Sequence, residues 1–355
     1  MKSTRRAALA ALGLGLSIAA VVVLLRHVSA KELLRNIGRA DPAWLLGACV
    51  VTVIGYFFRA WRWAEILSPE AKVPFGRVFA ATMVGFLAIN TLPARLGEFV
   101  RAYVLARSER LKTATVLGSV VIERVFDLAA LGTFWALSLL FAPYPAWLKW
   151  SGYMTVALGL LTTIAIWLLH AGHYAPISLG ARLGAALPRR LSSLVSPPVS
   201  AFTSGLRAFG RPATLVRAGG LSTAMWIVNA LVFLMVGTSM GLPLPLWAPR
   251  LLSFVVCVAI LVPSSPGFVG VMEGSCVVGL SLVGIDPSRA LAYGVLYHVT
   301  QLLPVVLLGG YYAVRGRSVT DLAAAGAGAG KTPGSEKSGD SDRLKAVTAK
   351  GVKLF

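Results

Sequence analysis

The feature that most constrains this chain is a series of apolar segments, each about as long as a bilayer is thick. About 20 consecutive apolar residues cross the hydrocarbon core as a helix, and soluble domains rarely repeat such segments. Only 14% of the residues are charged, against about 25% in soluble domains. We therefore predict an all-α polytopic membrane protein. The apolar segments cover residues 7–25, 43–61, 74–92, 113–141, 152–172, 218–241, 247–262, 266–284 and 288–313.

The apolar segments and the loops between them divide the chain into successive parts. Residues 1–41 are predicted to form an N-terminal transmembrane helix followed by an interfacial helix. Two membrane repeats follow at 42–172 and 217–318, and a basic cytoplasmic loop at 173–216 separates them. Ala, Gly, Lys and Ser dominate residues 319–355, a composition that predicts a disordered C-terminal tail.

The charges of the loops predict the orientation of the chain. The connections 142–151 and 241–250 hold one basic residue each, whereas the loop 173–216 and both terminal regions are rich in Arg and Lys. Because basic loops stay in the cytoplasm, we predict a multi-pass protein of the cell (inner) membrane with cytoplasmic N- and C-termini. The basic loops account for the net charge of +20, and their attraction to anionic lipid headgroups explains it without a nucleic-acid partner. We therefore predict no nucleic-acid partner. The segment 7–25 also fits a signal peptide, but its length favours an uncleaved helix.

Counting the crossings predicts two segments that leave the membrane on the side from which they entered. The stretch 59–77 is basic and is assigned to the cytoplasm, so residues 74–112 must enter from the cytoplasm and return to it. By the same reasoning, residues 250–287 enter from outside and return there. The predicted fold therefore has about six spanning helices plus two oppositely oriented re-entrant helical hairpins that form an inverted repeat. A plain helical bundle with proline kinks is the alternative.

Each predicted hairpin breaks near a proline, and glycines follow the break. Non-helical backbone at membrane depth is tolerated only inside protein or against water, so the two breaks predict a polar cavity. The break residues are Pro93 and Gly97 in the first hairpin and Pro263, Pro266, Gly267 and Gly270 in the second.

Ionisable residues inside the apolar segments are the candidate substrate-binding groups. Glu123, Arg124 and Asp127 lie near the middle of the segment 113–141. Each charge costs about 2.5–3.5 kcal/mol at the centre of a bilayer, so these residues must pair or face water. A structural ion-pair lock without a ligand role is the alternative interpretation.

A second candidate group follows the first break. Arg95, Glu98 and Arg101 recur every three residues and share one face of a helix. Two guanidinium groups on one face suit a phosphate or carboxylate headgroup, because Arg binds such groups through two hydrogen bonds. The alternative is an amphipathic helix at the cytoplasmic surface.

Further polar residues belong to the same predicted cavity. Asn90 precedes the first break, and Glu273 is the one acidic residue of the apolar segment 266–284. For Glu273, a protonated inert carboxyl and a proton-carrying site remain open. His298 and Gln301 give the last helix a polar face, and His298 is a candidate proton carrier.

The enzyme motifs HExxH, CxxC and GxxxxGKS/T, the last a phosphate-binding loop, are absent from the sequence. We therefore predict no catalytic residue, no metal site and no cofactor. A membrane-embedded transferase that uses Glu123 or Asp127 as a base is a minor alternative.

Three motifs in the same order resemble the transmembrane, flippase-like domain of the lysylphosphatidylglycerol synthase family. They are NTLPARLGEFVRA at 90–102, ERVFD at 123–127 and PSSPGFVGVME at 263–273, and with Gly309 they place the resemblance over about residues 40–315. The resemblance implies a membrane domain that translocates or handles lipids. Because only about 40 low-complexity residues follow, we expect a stand-alone member that lacks the aminoacyl-transferase domain. His298 departs from the family, in which an Arg is usual.

These observations predict a transporter or flippase for a polar lipid whose headgroup is anionic or bears a phosphate. The alternative is an accessory protein that binds a lipid and scaffolds a synthase of lipids or lipid-linked glycans without transport. Predicted partners are the membrane lipid as substrate, lipid-synthesis enzymes and a second copy of the chain.

Overall fold

A computed structural model describes residues 29–92, 96–139, 144, 146–171, 212–260 and 265–315. The predicted helix 7–25, the predicted tail 319–355 and most of the basic loop 173–216 lie outside these described residues. Within them every regular element is a helix, which confirms the all-helical prediction for this part of the chain. In chain order the elements are α1 (Ala30–Gly38), α2 (Pro42–Leu67), α3 (Phe75–Thr91), α4 (Gly97–Ser108), α5 (Thr113–Leu139), α6 (Ala146–Ala171), α7 (Pro212–Ser239), α8 (Ala248–Ala259), a 3-10 turn (Pro266–Phe268), α9 (Val271–Ser281) and α10 (Pro287–Arg315).

Helices α2, α7 and α10 are the described helices that are long and apolar enough to cross a membrane. Helices α5 and α6 are similarly long, with 27 and 26 residues. At about 1.5 Å per residue, helices of this length measure about 40 Å, which exceeds the roughly 30 Å hydrocarbon core. These five helices coincide with five of the predicted spanning segments.

Helices α1 and α2 meet at a turn that is fixed by local hydrogen bonds. Asp41 accepts a hydrogen bond from the backbone amide of Ala43 at 2.8 Å, and Pro42 occupies the first position of α2. Both are preferred starting residues of a helix. The amide of Asp41 also donates to the carbonyl of Ser239 at 2.8 Å. The start of α2 therefore lies beside the end of α7, so the two helices run antiparallel.

Helices α3 and α4 form an antiparallel pair, hereafter the first helix pair. A Cβ added at Gly97 would collide with the backbone of Gly85 and Ile89, and one added at Gly85 would collide with Arg101. Later residues of α4 therefore face earlier residues of α3, so the two helices run antiparallel. The two helices have 17 and 12 residues, or about 25 and 18 Å, which is shorter than a hydrocarbon core.

Helices α8 and α9 form a second antiparallel pair, hereafter the second helix pair. A Cβ on Gly279 would lie 2.7 Å from Leu252, and Val256 packs in one cluster with Cys276. The helices have only 12 and 11 residues. Between them, Gly267 and Gly270 have φ angles of 74° and 83°, a region that suits glycine.

The tips of the two helix pairs touch, while their bases lie at opposite ends of α2. A Cβ on Gly267 would lie 3.5 Å from the carbonyl oxygen of Asn90, so the two tips meet. The first pair begins after residues 68–74, which follow the end of α2. The second pair begins after residues 240–247, which follow Ser239 beside the start of α2.

One sequence assignment needs correction. The basic stretch 59–77 was assigned to the cytoplasm, but α2 continues to Leu67 and contains both Arg59 and Arg62. Arg62 is fully buried. The hydropathy pattern ended the helix too early because three charged residues, Arg59, Arg62 and Glu65, occur in its last turns. The loop itself is therefore limited to residues 68–74.

Candidate binding cavity and ion-pair cluster

Arg62 on α2 is the centre of a buried ion-pair cluster. Its Nη1 donates to Asp127 Oδ1 at 2.6 Å, and its Nη2 donates to Glu123 Oε1 at 2.9 Å. Nη1 also donates to the hydroxyl of Ser222 on α7 at 3.0 Å. One guanidinium thus joins three long helices, and both carboxylates come from the same face of α5, one turn apart.

The second carboxylate oxygen of Glu123 accepts a hydrogen bond from Arg101 on α4. Arg101 is buried, and its guanidinium lies 4.8 Å from the ring centre of Trp63. The indole of Trp63 donates in turn to Ser119 on α5 at 2.8 Å. Cation–π and charge-assisted contacts together hold the first helix pair against α2 and α5.

The outer part of the cluster is more exposed. Arg124 lies 3.1 Å from Asp127 Oδ2 and 3.6 Å from Glu98 Oε1, and 38% of its side chain is exposed. Arg59 approaches Asp127 at 3.9 Å and lies over the ring of Phe86. These longer contacts are weaker than the short bonds of Arg62.

Among the described residues, the cluster contains one more guanidinium than carboxylate. The guanidinium groups belong to Arg59, Arg62, Arg101 and Arg124, and the carboxylates to Glu98, Glu123 and Asp127. Removing charges from water costs several kcal/mol per ion, so a buried cluster persists only when its members are paired. On the more exposed side, Arg59 and Arg124 share the carboxylates of Glu98 and Asp127.

A cavity of about 250 Å³ opens beside this outer part. Arg59, Glu98, Arg124 and Asp127 form its charged end. Asn90 and Phe268, at the tips of the two helix pairs, also line it. Further polar side chains of the cavity wall are Thr52, Tyr56, Asn229, Ser253, Tyr297, His298 and Gln301.

His298 connects the cavity to the tip of the second helix pair. Its Nδ1 lies 2.7 Å from Glu273 Oε1, and Glu273 Oε2 accepts the backbone N–H of Gly270 at 2.7 Å. Nε2 of His298 is buried without a hydrogen-bond partner in the described part of the chain. Helix α10 approaches closely here, since a Cβ on Gly294 would lie 2.9 Å from the Cα of Glu273.

A family model described as the lysylphosphatidylglycerol synthase TM region matches residues 10–309. The chain belongs to this family. The match contains the ion-pair cluster, the cavity and both helix pairs.

Curated relatives of this family member come from archaea. Glycosyltransferase AglD of Haloferax volcanii is 29% identical over 338 residues, which are 86% of this chain and 54% of AglD. The chain thus spans about half the length of AglD. UPF0104 membrane proteins of Methanocaldococcus jannaschii and Methanothermobacter thermautotrophicus are 26% and 22% identical, over 62% and 82% of this chain and 91% and 90% of their own lengths.

The structure brings most of the sequence-predicted site residues of this family member into one region. Asn90, Glu98, Arg124, Asp127, His298 and Gln301 line the cavity. Glu123 and Arg101 lie behind its wall in the ion-pair cluster, and Glu273 lies behind His298. Gly97 lies at the contact between α3 and α4, and Pro266, Gly267 and Gly270 lie at the tip of the second helix pair. Arg95, Pro93 and Pro263 lie outside the described residues.

Sequence reasoning did not select Arg59 and Arg62 as site residues. Their spacing of three residues near the end of an apolar segment places both on one side of a helix. The same spacing is common in cytoplasmic loops that follow a membrane helix, so it does not distinguish site residues from loop residues. Asn229, in the apolar segment 218–241, is a polar residue that was also missed.

Proposed function

We propose that this protein binds the headgroup of an anionic lipid in the cavity and moves the lipid across the bilayer. The observation that carries the proposal is the position of Arg124. Its guanidinium is 38% exposed, borders the cavity and belongs to a cluster with surplus positive charge. Arginine binds phosphate through two parallel hydrogen bonds, so this end of the cavity suits a phosphate-bearing headgroup.

We further propose that the two helix pairs are re-entrant hairpins of opposite orientation that form an inverted repeat. Each helix is too short to cross the hydrocarbon core, the bases lie at opposite ends of α2, and the tips touch through Asn90 and Gly267. Transporters with inverted repeats bind their substrates where broken helices meet near the midplane. On this proposal the tips separate the cavity from the two membrane faces.

The proposed orientation directs the base of the first helix pair toward the cytoplasm. Basic residues concentrate there, and a positive surface at the cytoplasmic face follows the usual bias of membrane proteins. The basic residues near this base, including those at the adjoining ends of α5 and α7, are Lys72, Arg77, Arg107, Arg110, Lys112 and Arg217.

Binding would replace a weak contact with a stronger one. Arg124 and Glu98 are 3.6 Å apart, beyond a good hydrogen bond, so a phosphate can take the place of Glu98 beside Arg124 at little cost. Asp127, at 3.1 Å, keeps Arg124 in position. The buried triad of Arg62, Glu123 and Arg101 does not line the cavity and serves as a rigid frame for this exchange.

Translocation of fluorescent phosphatidylglycerol in proteoliposomes tests the proposal. We expect Arg124→Gln to slow translocation by about tenfold or more, because a hydrogen bond to a charged group contributes roughly 1.5–3 kcal/mol. Arg77→Gln is the matched control. Arg77 pairs with Glu109 at 2.7 Å, has a side chain that is 59% exposed and lies away from the cavity, so its rate should stay within about twofold of wild type, as for other surface pairs.

Two outcomes would overturn the proposal. One is a rate for Arg124→Gln that equals that of Arg77→Gln. The other is translocation by the wild-type protein that does not exceed the rate in protein-free liposomes, for both phosphatidylglycerol and a zwitterionic lipid.

A second candidate function is presentation of a bound lipid to a synthase without transport. The match to AglD favours it, because the matched region is only 54% of a protein that is named a glycosyltransferase. The same proteoliposomes separate the two candidates. Saturable binding of the lipid without translocation would favour presentation.

A further inference from the structure

The cavity has two chemically different ends, and the difference restricts the headgroup that fits. Thr52 and Arg59 both line it and lie seven residues apart on α2. Seven residues correspond to about 10 Å along a helix. The Arg59 end carries the guanidinium and carboxylate groups described above. At the Thr52 end, the described polar side chains that line the cavity are neutral amides, hydroxyls and an imidazole.

The hydrogen bonds at the neutral end are long. Gln301 donates to the hydroxyl of Thr52 at 3.2 Å, and Asn229 donates to the Tyr297 hydroxyl at 3.4 Å. The Ser253 hydroxyl lies 3.3 Å from Asn229, but its one hydrogen has a shorter bond to the Pro249 carbonyl, at 2.8 Å. Amide hydrogen bonds are strongest near 2.9–3.0 Å. A ligand with its own donors and acceptors can therefore take over these partners without loss.

His298 adds an unpaired ring nitrogen at the same end. Its Nδ1 faces Glu273, and a carboxylate only accepts hydrogen bonds, so Nδ1 carries the hydrogen of this contact. Nε2 belongs to a residue that is only 6% exposed and borders the cavity, and it has no partner among the described residues.

An ammonium group would fit this end poorly. Burial of a charge is costly unless an opposite charge accompanies it. Glu273 is the carboxylate nearest to His298, but it does not line the cavity, and both of its oxygens are already engaged, one by His298 and one by Gly270. A hydroxyl, in contrast, both donates and accepts, so it can pair with Nε2 and exchange hydrogen bonds with Gln301 and Asn229.

We propose that the neutral end is a hydroxyl-binding subsite with His298 as its specificity-determining residue, so that the ligand is a phosphodiester bearing a polyol or a sugar. This inference rests on the proposed function, in which the charged end binds the phosphate. Two kinds of lipid carry this chemistry: glycerolipids with polyol headgroups and prenyl phosphates linked to a sugar.

Binding of short-chain lipids to the purified full-length protein, measured by native mass spectrometry, tests this inference. Phosphatidylglycerol and phosphatidylmethanol form the decisive pair, because both are monoanionic phosphodiesters and only the first has hydroxyls. We expect phosphatidylglycerol to bind about 3–10-fold more tightly than phosphatidylmethanol, because one or two additional neutral hydrogen bonds contribute a difference of this size. Phosphatidylethanolamine should bind more weakly than phosphatidylmethanol. A farnesyl phosphoryl hexose represents the sugar-linked prenyl phosphates. Whichever of this ligand and phosphatidylglycerol binds more tightly identifies the class of the natural lipid.

His298→Leu should abolish the preference for phosphatidylglycerol over phosphatidylmethanol. Should His298→Leu fail to fold, Gln301→Leu provides the second variant, with a smaller loss of the same preference. Arg124→Gln should weaken both lipids equally.

Equal binding of phosphatidylglycerol and phosphatidylmethanol by wild type, with both weakened by Arg124→Gln, would overturn the subsite and leave the proposed function standing. A preference for phosphatidylethanolamine would also overturn the subsite. If Arg124→Gln weakens neither lipid, or neither lipid binds, the proposed anion site fails and the subsite fails with it.

Discussion

Arg62 shows how a charged residue is accommodated inside an apolar helix bundle. It is fully buried and bonds to Glu123, Asp127 and Ser222 from two other long helices. The side chain therefore contributes to stability through its partners, because their carboxylates would otherwise be buried without a counter-charge. Arg124, in contrast, remains partly exposed and is able to exchange partners.

Replacement of Arg62 by Met should destabilise the protein severely. Breaking one side of a buried ion pair typically costs about 3–5 kcal/mol, since the remaining charges are left uncompensated. We expect a lower free energy of unfolding for the detergent-purified protein, measured by chemical denaturation. Arg217→Met is the control, because its ion pair with Glu65 is long, at 3.6 Å, and the Arg217 side chain is 67% exposed.

The control should lose no more than about 1 kcal/mol, the usual range of a surface pair. Similar losses for Arg62→Met and Arg217→Met would contradict the central position assigned to Arg62.

At the scale of elements, the first helix pair depends on a close approach of two backbones. Gly97 at the start of α4 faces Gly85 and Ile89 of α3 with no room for a side chain. Small residues allow helices in membranes to approach closely and gain van der Waals contact. This approach also carries Arg101 to Glu123, so the packing of the pair and the ion-pair cluster depend on each other.

Replacement of Gly97 by Ala should push α4 away from α3. Overpacking of this kind costs about 1–3 kcal/mol or more when the opposing atoms are backbone. We expect a lower melting temperature and weaker binding of anionic lipid, because α4 carries Glu98 and Arg101. Gly76→Ala is the matched control on the same pair, since nothing lies within 4 Å of a Cβ at Gly76.

The control should leave the melting temperature unchanged or slightly raised, because Ala favours helix more than Gly does. A melting temperature for Gly97→Ala as high as that of Gly76→Ala would refute the close approach.

At the scale of the whole molecule, the two helix pairs are inserted from opposite ends of the long helices, and their tips meet. This arrangement places the cavity between them, lined at its wall by Asn90 from one pair and Phe268 from the other. On the proposed function, a lipid headgroup in the cavity would be shielded from both membrane faces as long as the tips stay in contact.

Labelling of single cysteines with a membrane-impermeant maleimide tests this arrangement in intact cells. In a variant that lacks the native cysteines, Lys72→Cys and Lys112→Cys flank the first helix pair and should be labelled from the same side. Pro243→Cys and Ser281→Cys flank the second pair and should both be labelled from the other side. All four positions are exposed.

Labelling of positions 72 and 112 from opposite sides would mean that the first pair crosses the bilayer. The inverted repeat would then be excluded, whatever the behaviour of positions 243 and 281.

The class of the protein and much of its helix pattern could be predicted from the amino-acid sequence alone. Length and hydropathy of a segment are local properties, so α2, α7 and α10 were recognisable as membrane-spanning candidates. The breaks near Pro93 and Pro266 were visible for the same reason, because proline and glycine interrupt a helix through their own backbone. The motifs around Glu98, Asp127 and Glu273 sufficed to indicate the family.

Which charged residues form the frame and which line the cavity could not be predicted from the sequence, because it depends on how the helices pack. Arg62 and Glu123 are 61 residues apart in the chain, and no local pattern specifies that they pair. The sequence assigned Arg59 and Arg62 to a basic loop, whereas in the structure both contact carboxylates of α5. Partner choice among buried charges depends on how helices distant in sequence pack together, and desolvation makes that choice energetically decisive.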